Sequence, residues 1–343
     1  MIQKRFTLTL FILLLATFCT IVLSIAIGQV TIPVGTTIET IFSPFATQEQ
    51  NLFYDIIWDI RVPRTLLALL VGAGLALCGT VMQASVQNPL ADPYILGISS
   101  GALLGATFSI VVSHTLGNFF GSISLLVWAF LGALLATVVV LLLANLGQKM
   151  SVVKLILAGT IVNALFTAIS NLFIYFAKDA EGVRSIAFWT MGSLASAKWT
   201  DLSLIAIFIV VISIFFISQW RVMNAMLMGE EAAMNLGVNL HVLRKVYLMI
   251  SAILTAIIVA KCGIIGFVGL IIPHLVRIFS GANHRFLVPI VLLVGGIFLM
   301  WADILARIIV TNSELPIGIV TAILGAPVFM HMLVKKKYGF GGN

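Results

Sequence analysis

Between Phe6 and Val30 the chain carries no charged side chain, and runs of the same kind recur along its length. Stretches this long and apolar are stable where every backbone amide and carbonyl bonds within the segment, as in a helix crossing a bilayer. Barrel strands alternate polar and apolar residues and do not produce such runs. Composition agrees, with 61% of residues hydrophobic and 9% charged, against roughly 25% charged in soluble domains. The expected fold is an all-α polytopic membrane protein of about ten transmembrane helices.

Lys4 and Arg5 precede the first run, which is longer than the apolar core of a signal peptide and reads as a retained span. Thr31–Ile60 reads as a polar connection. Further spans are expected over Thr65–Ser85, from Pro93 onward, and over Ile123–Asn145, Val152–Ala177 and Leu202–Trp220. Phe188–Leu194 is expected to form an interfacial helix anchored by Trp189. After a polar island at Arg221–Lys245 follow Val246–Phe267, a short element at Pro273–Ser280, then Phe286–Val310 and Leu315–Val334.

Ten spans put both termini on one side. Twelve of the 19 lysines and arginines fall on that side, which makes it cytoplasmic by the positive-inside rule. The net charge of +7 is spread over short loops and both ends, so it points to membrane lipid head groups and not to nucleic acid. Cys19, Cys78 and Cys262 lie in apolar runs without paired or metal-type spacing and read as small core residues.

The island contains Gly229-Glu230-Glu231-Ala232-Ala233-Met234-Asn235-Leu236-Gly237, a short helix flanked by glycines. Its two carboxylates suit the positive end of the helix dipole, and Gly237 suits a left-handed C-cap. It is either a loop between two spans or a surface on which an external engine pushes.

On the fifth span Gly159, Thr160, Asn163, Thr167, Ser170 and Asn171 recur at steps of three and four, so they share a face. Such a neutral stripe can line a wet pathway without the roughly 2.5–3.5 kcal/mol charged to a central ionised group on the insertion scale. It can equally hydrogen-bond between helices. Gly97, Gly101 and Gly105 form a small-residue stripe that reads as close helix packing. Arg61 and Arg64 flank Pro63 at the start of the second span, and Arg307 follows Asp303 by four positions. Arg307 therefore either pairs within its helix or joins the other two in a basic patch for an extracytoplasmic protein. The five histidines lack ligand spacing, and the sequence contains no phosphate loop, so it has no route of that kind to ATP.

Five segments together resemble the permease family of iron–siderophore, haem and vitamin B12 ABC importers, the FecCD/BtuC-like permeases. They are Arg61–Ala102, LAGTIVNALF at Leu157–Phe166, GEEAAMNLGV at Gly229–Val238, GIIGFVGLIIPHLVR at Gly263–Arg277, and ADILAR with ELPIGIVTAILGAPVF at Ala302–Arg307 and Glu314–Phe329. One departure is Gln87, where the family usually has arginine. The resemblance covers nearly the whole chain and implies a single transmembrane permease domain over residues 1–343, in a bacterial cytoplasmic (inner) membrane. It implies a second permease copy or paralogue, with the pathway between the two, and no catalytic residues. It makes Gly229, Glu230, Glu231, Ala232, Ala233, Asn235, Leu236 and Gly237 the segment that seats on a separate ABC ATPase dimer, where ATP and Mg are held. Arg61, Arg64 and Arg307 fall where a substrate-binding protein docks, and the fifth span where the pathway is lined. The expected cargo is a ferric siderophore, ahead of haem, vitamin B12 and oxyanions. The competing reading is an ATP-independent secondary transporter, which would place ionisable residues mid-span.

Overall fold

A computed structural model describes residues 2–30, 32–42, 52–112, 123–146, 151–177, 180–229, 233, 235, 237 and 239–334. Every regular element among them is helical. The elements are α1 (Ile2–Ala26), α2 (Val34–Phe42), α3 (Val62–Val86), α4 (Ile98–Thr107), α5 (Leu125–Asn145), α6 (Val152–Phe176) and α7 (Ala180–Thr190). They continue with α8 (Trp199–Ser218), α9 (Trp220–Leu227), α10 (Leu240–Cys262), α11 (Val268–Ser280), α12 (His284–Ile308) and α13 (Ile317–Val334). Among the described residues seven helices are long and apolar enough to cross a membrane, and three shorter apolar ones lie at Ile98–Val111, Val268–Ser280 and Ile317–His331. Together they match the ten expected spans.

The boundaries differ from expectation where backbone chemistry overrides composition. The second span starts at Phe53, well before Thr65, and runs unbroken to Val86. Asp55 and Asp59, inside the expected polar connection, lie four apart on one exposed helical face. Pro63 is accommodated because Ile56–Arg61 winds as a π-helix just before it, where the usual ladder is already interrupted. Pro93–Leu96 forms a single 3₁₀ turn, N-capped by Asp92, and Gly97 (φ 73°) separates it from α4. The segment near Trp189 is not the helix Phe188–Leu194: α7 ends at Thr190, and Gly192 turns the chain with φ 75°. α10 takes in Arg244 and Lys245, six residues earlier than Val246, because Asn239 caps it by accepting from the Val242 amide at 3.4 Å.

The chain divides into two compact units, Met1–Leu77 with Ser193–Trp220 and Gly266–Lys336, and Cys78–Gly192 with Arg221–Ile265 and Lys337–Asn343. In the first, α3 meets α12 at Gly72 and Gly295. A Cβ on Gly72 would stand 2.2 Å from the Gly295 carbonyl oxygen, so the two backbones touch. In the second, α4 and α5 form an alanine-rich core around Ala102, Ala106, Ala129, Ala133 and Ala136. Here Gly101 and Gly105 would place a Cβ 2.3 Å and 1.9 Å from the carbonyls of Gly132 and Trp128. Their stripe is a packing seam, as helices in lipid gain most from close van der Waals contact. Cys78 and Cys262 are buried thiols, whereas Cys19 is exposed rather than in the core.

Candidate functional site

Three regions place the expected functional residues. The first gathers charge at the end of the first unit where α1 stops. Arg61, Arg64 and Arg307 are 5%, 6% and 4% exposed, so none is displayed as a surface patch. Arg61 donates through Nη1 to the carbonyls of Ile25 (2.8 Å) and Ala26 (2.7 Å), and through Nη2 to that of Val30. Arg307 donates to the carbonyls of Ile27 (2.8 Å) and Ser24 (3.0 Å) and to the Ser24 hydroxyl (3.1 Å). The last carbonyls of a helix have no partner within it and carry its negative end. Two guanidiniums therefore cap the C-terminus of α1.

Arg64 takes a different role. Its Nε donates to Asp303 at 2.9 and 3.2 Å, and its Nη1 donates to both Glu314 oxygens at 2.9 and 2.8 Å. Arg307 Nε meets the same Asp303 at 3.1 Å, which is the intrahelical pair its spacing allowed. Asp303 is wholly buried, and the Glu314 side chain is 37% exposed. Arg64 and Arg307 share the two carboxylates, and backbone carbonyls at the end of α1 hold Arg61. Glu314 is the one open side of the cluster. No local signal in the sequence joined Arg64 to Asp303 and Glu314, since 239 and 250 positions separate them.

The second region is α6. Successive residues turn by about 100°, so Gly159 and Ser170 fall at one edge of the polar stripe and Thr160 and Asn171 about 120° away at the other. The structure packs the first edge and leaves the second open. Gly159 and Ser170 are buried, Thr167 is half-buried, and Thr160, Asn163 and Asn171 are exposed. A Cβ on Gly159 would lie 2.0 Å from the Ile95 carbonyl oxygen, so this glycine admits the 3₁₀ turn against α6. Ser170 returns its hydroxyl to Phe166 O at 2.8 Å, and Thr160 returns its own to Ile156 O at 2.9 Å. The stripe thus lies on the border between the packed and open sides of the helix. Asn163 and Asn171 are its outward amides.

The third region is the polar island. Glu230, Glu231, Ala232 and Leu236 lie outside the described residues. Gly229 and Gly237 both take left-handed backbone, φ 96° and 76°, and the Ala233 amide donates to Gly229 O at 3.1 Å. Ala233 is buried, and Asn235 and Gly237 are exposed. The segment is entered through α9, whose Met223 and Met226 are buried. Gln87, the position that departs from the family pattern, has φ 54° and donates its side-chain amide to Met226 O. Ser85 Oγ also reaches Met226 Sδ at 4.0 Å. The end of α3 is therefore tied to the stretch of chain leading into the island.

Comparison with known proteins places the chain in a consistent group. The model of the FecCD transport family matches residues 13–335. The hemin transport system permease protein of Yersinia pestis is 38% identical over 85% of this chain and 86% of its own length. The molybdate import system permease protein of Haemophilus influenzae is 37% identical, covering 96% of each chain. The vitamin B12 import system permease protein of Klebsiella pneumoniae is 36% identical over 98% of this chain and 96% of its own. Among solved structures, an ABC transporter assigned to the metal-chelate type, in an inward-facing conformation, superimposes with TM-score 0.81. It is 36% identical, over 95% of this chain and 98% of that one. PsaBC from Streptococcus pneumoniae, at 17% identity and TM-score 0.55 over 86% of this chain and 94% of that one, shares the fold.

Proposed function

The chain belongs to the FecCD transport family, the permeases of ABC importers, and on that premise we propose that it carries a bulky iron chelate, foremost a ferric siderophore, through a pathway completed by a second permease. The supporting observation is the border of α6. Asn163 and Asn171 are exposed on a membrane-length helix with no charged residue after Lys154. Amides turned outward from such a helix are stabilised when they meet water or another polar wall. A second copy or a paralogue presenting the same arc supplies that wall. The absence of mid-span ionisable residues on α6 leaves nothing for proton or sodium coupling there, which favours an external engine over a secondary transporter.

In this reading both termini and the Arg221–Lys245 island face the cytoplasm of a bacterial cell. A separate ATPase dimer, holding ATP and Mg, closes on Gly229–Gly237 and moves the island. Gln87 passes that displacement from Met226 to α3. On the other side, a substrate-binding protein presents carboxylates to the arginine cluster and competes with Glu314 for Arg64. This chain performs no chemistry on its cargo.

The test is reconstitution in proteoliposomes with its ATPase and binding protein, measuring uptake of ferric siderophore, haem, cobalamin and molybdate side by side. Uptake of ferric siderophore that requires ATP supports the proposal. Preference for one of the other three replaces the cargo, and uptake that persists without ATP removes the engine.

A further inference from the structure

The first unit has an apolar groove of about 530 Å³ between α1, α11 and α12, away from the arginine cluster. Leu13, Leu275, Ile290 and Val294 line its depth, and Arg5 and Phe279 stand among its lining residues. Phe6 and Phe286 pack together with ring centroids 4.8 Å apart, which sets the register of α1 against α12. Leu13 lies eight residues beyond Arg5 and Val294 eight beyond Phe286. At 1.5 Å per residue, both walls therefore run about 12 Å inward from the same mouth.

The mouth is one-sided in charge. Arg5 and Arg285 are exposed there, and Arg285 lies over the rings of Trp220 and Phe286 at 5.6 and 5.7 Å. The sequence has no Asp or Glu from Met1 to Ile38, or from Ala232 to Ala302, so the three helices forming the groove bring no carboxylate to this end. Among the lining residues Phe279 is 88% exposed. An apolar slot with an aromatic rim and cations that its own helices do not oppose matches a molecule with a hydrocarbon tail and an anionic head at a membrane interface.

We propose that this groove holds one acyl chain of an anionic glycerophospholipid from the leaflet at the Arg5 end of α1, with the phosphate against Arg5 and the head group beside Arg285. The three helices that the lipid bridges include α12, which also carries Asp303 and Arg307 at its far end. A bound lipid would therefore brace the helix that holds the ion cluster.

The test uses the full chain in mild detergent, with retained lipid read by native mass spectrometry and re-binding measured for phosphatidylglycerol and phosphatidylcholine. The unmodified chain is expected to prefer phosphatidylglycerol. Arg5→Gln and Arg285→Gln should each weaken that binding about fivefold, as expected near a membrane surface for each cation lost. Leu13→Trp, which fills the slot, should abolish it. If that variant does not fold, the two exposed arginine variants carry the test. Equal binding of phosphatidylcholine, or unchanged binding in Arg5→Gln, overturns the proposal. So does efficient disulfide dimerisation of Phe279→Cys, which would give the groove to a second copy.

Discussion

Replacing Asp303 with asparagine isolates the energetics of the buried ion cluster. Asp303 is 0% exposed and balances two guanidiniums, Arg64 at 2.9 Å and Arg307 at 3.1 Å. Neutralising it leaves both charges buried with one carboxylate, Glu314, between them. Removing one partner of a buried pair costs about 3–5 kcal/mol, because the remaining charge keeps its desolvation penalty. Asparagine can still accept one hydrogen bond, which places the expected loss near the lower bound, about 3 kcal/mol. That is roughly a 150-fold change in the unfolding equilibrium. Glu314→Gln is the internal control: its side chain is 37% exposed, and exposed pairs are worth at most about 1 kcal/mol. Reversible unfolding in mixed micelles, followed by tryptophan fluorescence, measures both. Arg64→Met combined with Asp303→Leu removes one of the two guanidiniums together with Asp303, leaving only Arg307 without its carboxylate, and should recover part of the loss. Arg307 keeps its acceptors at Ile27 and Ser24 in that variant. Equal costs for Asp303→Asn and Glu314→Gln would refute the reasoning, because they would mean that water reaches the cluster.

Other outcomes follow from the packing and the island. Gly105→Leu should cost about 1–3 kcal/mol or more, since even a Cβ would sit 1.9 Å from Trp128 O; fluorescence-detected size exclusion after heating would show the loss. Glu314→Gln should strengthen capture of the loaded binding protein at low salt, where charges are least screened; surface-immobilised permease reads the affinity, and unchanged binding would remove Arg64 from docking. Glu230→Arg with Glu231→Arg should abolish ATP-driven uptake while membrane insertion stays normal, and normal uptake would return the island to a simple loop. Asn163→Leu should lower transport without destabilising the fold, because the side chain is exposed; a lower unfolding midpoint instead would make Asn163 a packing residue.

Uncharged runs too long for any strand left only helices, because backbone polar groups have no other partner in hydrocarbon. That constraint is local, and it was legible in the residues alone. So were the glycine seam at Gly101 and Gly105, since helical spacing puts small residues on one face, and the left-handed turn at Gly237, since few other residues adopt it without strain. The resemblance carried by five segments placed the chain in its family. The arginines are the contrary case. A guanidinium at the end of a span looks the same in sequence whether it faces water, a carboxylate or the carbonyls of another helix. Only the fold brought Arg61 and Arg307 under the end of α1, and Arg64 between Asp303 and Glu314. The α6 stripe divides in the same way. Periodicity assigned its residues to one face, but which edge is packed and which is open depends on the helices lying against it, and those are chosen by tertiary contacts far apart in the chain.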